Sequence, residues 1–219
     1  MKRGLILWTT ISVLFIGSAL HTVSVQAAAP TEQLKTSIDA VLKLLKDPEL
    51  KRPEKFKERR ALLRKTIIER FDFNEMSKRA LATQWAKRTP QEKKEFVEMF
   101  TNLLEKSYMD RIEAYTDEEI EYNGESIDND YAVVKTTVKA KDKEGIPIDY
   151  KLTKQGDQWL VYDVVIEGVS LVNNYRNQFN RIISAGSYAE LVKKMKTKEA
   201  EILKEPSGSG KKKSTKELE

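Results

Sequence analysis

The 219-residue sequence predicts an α+β domain in which helices wrap a four-stranded antiparallel sheet. Two observations carry that prediction. Apolar residues recur with helical spacing as far as about residue 115, switch to alternation between Ile120 and Ile166, and return to helical spacing after Ser170. The connectors between the alternating runs are short and rich in turn residues, which makes the sheet an antiparallel meander. A curved sheet of this kind leaves a natural place for an apolar cavity between its concave face and the longest helix.

The helices follow from their stripes and start signals. Thr31 is placed to cap a first helix, whose apolar stripe is Leu34, Ile38, Val41, Leu42 and Leu45. Pro48 and Pro53 bracket a loop. Phe56, Leu63 and Ile67 mark a second helix with Arg and Lys on its other face. Asp72 and Glu75 have capping-box spacing and open a short third helix through Met76, Ala80 and Leu81. Thr89-Pro90-Gln91-Glu92 is a stronger start, with Thr at N-cap, Pro at N1 and Glu at N3. The stripe that follows runs Phe96, Phe100, Leu104, Tyr108, Ile112 and Tyr115, a rod of roughly 38 Å.

The strands come next. Ile120 and Tyr122 begin one, and Tyr131 to Val138 forms another. Ile146, Ile148, Tyr150 and Leu152 alternate cleanly; Pro147 lacks a ladder donor, so a bulge or a sheet edge is expected there. Trp159 to Ile166 is nearly continuous in apolar residues and reads as the most buried strand. Gly168 ends it. Ser170 caps a helix carrying Leu171, Tyr175, Phe179 and Ile182, and Ser187 with Glu190 starts the last one.

Both ends have other assignments. Residues 1–29 read as a cleaved signal peptide: Lys2 and Arg3 lead an uncharged apolar run, and Ala27-Ala28-Ala29 offers a cleavage site. Residues 206–219 read as a flexible basic tail, which leaves 30–205 as the folded domain. The formal charge of +5 belongs largely to these ends, because 30–205 holds 33 basic and 32 acidic residues. No nucleic-acid partner is therefore expected.

Composition restricts the chemistry. There is no Cys, and the single His21 leaves with the signal peptide. A Ser-His-Asp triad, a cysteine nucleophile and any His- or Cys-ligated metal are excluded from the mature domain, and no resident cofactor is expected. The best remaining acid–base candidates are Asp149, Tyr150, Tyr162 and Asp163. Strict alternation places Asp149 and Tyr150 on opposite faces of the sheet, and likewise Tyr162 and Asp163, so a structural role is expected for all four.

Two blocks resemble a known family. One runs from Phe71 to Leu81, through Trp85 and Thr89-Pro90-Gln91-Glu92, to Phe96, Phe100, Leu104 and Tyr108. The other is Trp159 to Leu171, continuing through Tyr175-Arg176 and Phe179. Together they resemble the MlaC family of periplasmic phospholipid-binding proteins, also called the toluene-tolerance auxiliary family, over roughly residues 30–200. Ser77 and Thr83 stand where Ala and Gly are commoner in that family, and the basic tail is not one of its hallmarks.

The resemblance implies an NTF2-like domain around a deep apolar cavity, with phospholipid as cargo rather than cofactor. It also implies a periplasmic carrier serving outer-membrane lipid asymmetry. The implied partners are an inner-membrane ABC transporter with an MCE-domain subunit and an outer-membrane lipoprotein–porin complex. On this reading the pocket is lined by Phe100, Leu104 and Tyr108 of the long helix, Ile148, Tyr150, Val161 and Val165 of the sheet, and Leu171 and Tyr175 of the helix after it. No catalytic and no metal-ligating residues are assigned. Two other readings of the chain are an NTF2-like enzyme, and a periplasmic adaptor with a filled core.

Overall fold

Thr89 opens the long helix as its spacing predicts. Its hydroxyl accepts from the Glu92 amide at 3.1 Å, and the Glu92 carboxylate accepts from the Thr89 amide at 2.8 Å. These two bonds satisfy amides that a first helical turn leaves orphaned. The computed structural model describes residues 29–115, 117–139 and 144–204, with side chains as far as residue 197. The expected signal peptide, apart from Ala29, and the expected tail lie outside the described residues.

The helices are α1 (Pro30–Lys46), α2 (Phe56–Ile68), α3 (Phe73–Leu81), α4 (Pro90–Glu113), α5 (Leu171–Ala185) and α6 (Tyr188–Lys204). Single 3₁₀ segments at Pro53–Lys55 and Ala82–Lys87 lead into α2 and α4. Asp72 caps α3 through the Glu75 amide, and Ser170 caps α5 through the Asn173 amide. Thr31 does not cap α1. The helix starts one residue earlier, at Pro30, and the Thr31 amide and hydroxyl both donate to Glu125 across the molecule. A proline already suits the first helical position, so no capping side chain is needed there.

The sheet has β1 (Glu119–Asp128), β2 (Tyr131–Lys139), β3 (Ile146–Gln155), β4 (Gln158–Ile166) and β5 (Val169–Ser170) in that spatial order, every pair antiparallel. The expected four strands thus become five. Glu167 and Gly168 both take positive φ, 50° and 80°, which folds Val169 and Ser170 back onto the end of β4. Glycine enters that region without a Cβ clash. Pro147 is neither bulged nor at an edge. It is the second residue of the interior strand β3, opposite Thr137, and its carbonyl accepts from the Glu167 amide. At a strand's first residues a missing donor is tolerated.

The bulges fall elsewhere. One lies between Tyr122 and Gly124; the other is on β4, where Leu152 pairs with Val161 but Lys151 pairs with Asp163, leaving Tyr162 as the extra residue. Side chains alternate along β3, so the partners of Leu152 and Tyr150, namely Val161 and Val164, share one face. That face packs on α1: Leu34 and Ile38 meet Ala132, Val134, Leu152, Trp159 and Val161.

Two further clusters complete the core. In one, α3, α4, α5 and α6 meet around Phe96, Phe100, Tyr175 and Phe179, whose rings pack with centroids 5.2–5.8 Å apart. In the other, Leu45 of α1, Leu63 of α2 and Met109 of α4 join the C-terminal ends of α1 and α4. Ser77 is fully buried in α3, and its hydroxyl has no hydrogen-bond partner, so the hydroxyl serves no visible purpose at that packed position.

Polar clamps set the helices relative to the sheet. Arg70 donates to Ser37 Oγ, Gln33 Oε1 and the Trp159 carbonyl at 2.8–3.0 Å, tying α1 to β4. Glu113 takes both Arg59 and Arg60, with N–O distances of 2.6–3.0 Å, and fixes α2 against the end of α4.

Candidate functional site

The β4 bulge decides which side chains face the interior. The face that packs on α1 carries Tyr122, Thr136, Ile148 and Ile166 in one row, and Val134, Tyr150 and Val164 in the next. Val165 pairs with Asp149 and lies on the opposite face, so the expected grouping of Val165 with Val161, Ile148 and Tyr150 is not what the register gives. Val164 takes the inward place. The cause is the extra residue at Tyr162, which inverts the alternation for everything after it.

The longest helix is α4. Its neighbours are α3 and α6, and it has no comparable backbone contact with any strand. The stripe Phe100, Leu104 and Tyr108 points from α4 toward α5 and the centre. Phe100 is wholly inaccessible within the ring cluster, and Val161 is equally closed off beneath α1. Leu104 and Tyr175 are buried at 5 % exposure. Tyr108, Ile148, Tyr150 and Leu171 keep partial accessibility.

The tyrosines form two groups, Tyr108 beside Tyr175 of α5, and Tyr122 beside Tyr150 on the α1-side face of the sheet. Burial alone pushes the Tyr150 hydroxyl up to about 12. Burial, reinforced by the neighbouring Tyr175, pushes Tyr108 up to about 12 as well, against the opposing pull of Arg111. Tyr122 is raised by burial and by Asp39 and Tyr150, and its hydroxyl has no hydrogen-bond partner. Yet all three residues remain partly accessible to a water-sized sphere.

These hydroxyls stay neutral at physiological pH. In a spectrophotometric titration, Tyr108 and Tyr150 are expected to ionise about two units above the ordinary value near 10. A folded-state value raised in this way adds stability that is fully present below pH ~10 and is lost as pH rises toward the folded value. Alkaline unfolding should therefore coincide with release of these two tyrosines. Ionisation of both near 10 with the fold intact would contradict their desolvation.

One end of the α1-side face carries exposed apolar residues. Ile120, Val138 and Ile146 form a row there on the α1-side face, with Ile148, Ile166 and Val169 beside them. Ile146 is 44 % exposed and Val169 61 % exposed, unusual for residues of this type.

The acid–base candidates are otherwise engaged. Asp149 and Tyr150 do lie on opposite faces, but the bulge brings Tyr162 and Asp163 to the same one. Asp163 accepts from the Ser170 hydroxyl at 2.7 Å and the Val172 amide at 3.0 Å, and pairs with Lys151. Tyr162 lies under the Arg79 guanidinium and against the Tyr131 ring. Among the described residues, no group of three or more acidic or His side chains is placed to hold a metal ion. Nor is any helix among them long and apolar enough to cross a membrane.

Sequence reasoning missed Tyr122 and Val164. Tyr122 was legible as a strand residue with an inward parity; Val164 was not, because the bulge has no local signature.

The family model described as MlaC protein matches residues 35–197. No curated protein matches the chain. A solved structure of a phospholipid-binding protein from Ralstonia solanacearum, in complex with a phospholipid, superposes with a TM-score of 0.71 at 28 % identity, covering 81 % of this chain and 100 % of that one.

Proposed function

This chain belongs to the MlaC family, and we propose that it is a phospholipid carrier whose acyl-chain compartment is the space between α4 and the α1-side face of the sheet. The observation that carries this reading is the likeness to a solved structure that holds a phospholipid, and Tyr108, Tyr122 and Tyr150 are desolvated yet keep partial accessibility. The phospholipid bound to the structurally similar Ralstonia protein supports it. Tyr108, Ile148, Tyr150 and Leu171 line the compartment, with Leu104 and Tyr175 behind them and Tyr122 and Val164 completing the sheet side. Phe100 and Val161 support that wall from within packed clusters. Val165 is withdrawn from the lining by the bulge.

Magnitudes favour carriage over release into water. A diacyl lipid has about 30 methylenes at ~0.8 kcal/mol each, so exposing its chains costs roughly 24 kcal/mol. A carrier must cover nearly all of them. Bilayer and compartment are similarly apolar, so exchange between the two is close to balanced and requires no nucleotide site on the carrier.

The cellular role follows from the family resemblance. The chain is exported by a cleaved signal peptide to the periplasm. There it shuttles phospholipid between an outer-membrane lipoprotein–porin complex and an inner-membrane MCE-domain ABC transporter, and so maintains outer-membrane lipid asymmetry. Catalysis has no support from the site, since Tyr162 and Asp163 are committed to packing and to capping α5. Incubation of delipidated protein with phospholipid vesicles tests the reading. Re-isolated protein should carry extractable phospholipid; protein that emerges lipid-free would refute it.

A further inference from the structure

The carrier reading leaves the lipid headgroup without a partner, and one side chain at the open end is placed to supply it. Arg111 follows Tyr108 by three residues on α4 and therefore stands one turn further along, beside that ring, at an exposed position. Its guanidinium lies 5.7 Å from the Tyr108 ring centroid, within the range of a cation–π contact. It also stands near enough to the Tyr175 hydroxyl to act on it electrostatically. Tyr175 is one turn into α5, which begins at Leu171 directly after the exposed Val169. The chain passes from the end of α4 at Glu113 to the start of β1 at Glu119, so Arg111 stands toward the end of the sheet that carries Ile120, Val138 and the exposed Ile146.

Its state differs from that of its neighbours. Arg59, Arg60 and Arg64 are each paired with a carboxylate of α4, namely Glu113, Asp110 or Glu105. Arg111 is exposed and has no carboxylate partner among the described residues. The contact with the Tyr108 ring holds the guanidinium beside it while leaving its donors available. That is the arrangement in which arginine binds phosphate through two parallel hydrogen bonds.

We propose that Arg111, held by Tyr108 at the mouth of the acyl-chain compartment, binds the phosphodiester of the cargo lipid and makes the site selective for phospholipid over uncharged diacyl lipid. The inference rests on the carrier reading and adds a headgroup subsite to it. A diacyl lipid entering chains first stops with its phosphate where water meets the apolar rim, which is where the only charge the lipid must keep solvated can meet a fixed cation. Loss of a charge-assisted hydrogen bond of this kind corresponds to about tenfold in affinity.

The test is a competition. Full-length wild type, Arg111→Ala and Arg111→Lys are each offered vesicles containing phosphatidylglycerol and diacylglycerol with identical chains, and the lipids retained are quantified. The ratio of phosphatidylglycerol to diacylglycerol is expected to fall about tenfold in Arg111→Ala and to recover in part in Arg111→Lys. An unchanged ratio, or an equal fall in both lipids, overturns the headgroup assignment and leaves the carrier reading standing. Wild type that retains neither lipid overturns the carrier reading, and the subsite with it. Inorganic phosphate added at millimolar concentration separates the sources: it should leave the wild-type ratio unchanged, and a collapse of the ratio would mark a free-phosphate site instead.

Discussion

Asp163→Ala is expected to destabilise the fold by about 3 kcal/mol, among the largest single-residue effects in the molecule. The carboxylate is 6 % exposed and receives three donors: the Ser170 hydroxyl, the Val172 amide and the Lys151 ammonium. Losing a helix cap costs about 1 kcal/mol. Stranding a buried amide costs ~1–3 kcal/mol more. Lys151 is 37 % exposed, can turn to water and adds less than about 1 kcal/mol. Asp163→Asn keeps one acceptor and should lose about half as much. Urea unfolding followed by circular dichroism reads both values. A loss below about 1 kcal/mol for the alanine variant would mean that α5 is not anchored through this carboxylate.

Filling the compartment should separate stability from binding. Val164→Phe places a ring beside Tyr150 and Val161 on the α1-side face of the sheet. In a packed core such an insertion costs ~1–3 kcal/mol. In an open compartment the ring finds room, so the unfolding midpoint should hold or rise. Lipid retention should fall instead. Displacing about two methylenes at ~0.8 kcal/mol each reduces affinity by roughly tenfold. A destabilised variant that still retains lipid normally would place the chains elsewhere.

Much of this architecture was legible in the sequence, for identifiable reasons. The capping box at Thr89 and Glu92 is a local device that satisfies its own backbone, so it survives whatever packs around it. The hairpins at Asn129 and Gly156, both at positive φ, are equally local. Alternation located the strands but not their register. It presumes an unbroken ladder, and the single extra residue at Tyr162 exchanged Val164 for Val165 and brought Tyr162 to the side of Asp163. Nothing in Trp159 to Ile166 announces that bulge. Its apolar residues are nearly continuous, as expected of a strand buried on both sides, and so tolerate either phase.

Long-range polar contacts were the other gap. Arg70 reaches Gln33, Ser37 and Trp159, and Thr31 reaches Glu125. Pairings so distant in sequence leave no periodic trace. The candidate site shows both limits together. The stripe Phe100, Leu104 and Tyr108 was readable from spacing, whereas the division between packed Phe100 and accessible Tyr108 depends on how far α4 stands from the sheet. Arg111 had a readable position, three residues beyond Tyr108, but its lack of an ion-pair partner among the described residues is a property of the fold.

Native mass spectrometry of the full-length protein purified from cells without detergent tests the central claim most directly. The mature chain should carry a mass increment equal to one or two phospholipids, lost on solvent extraction and regained from vesicles. A chain that flies at its bare polypeptide mass, and remains so after incubation with phospholipid vesicles, would contradict a hollow lipid-carrying interior.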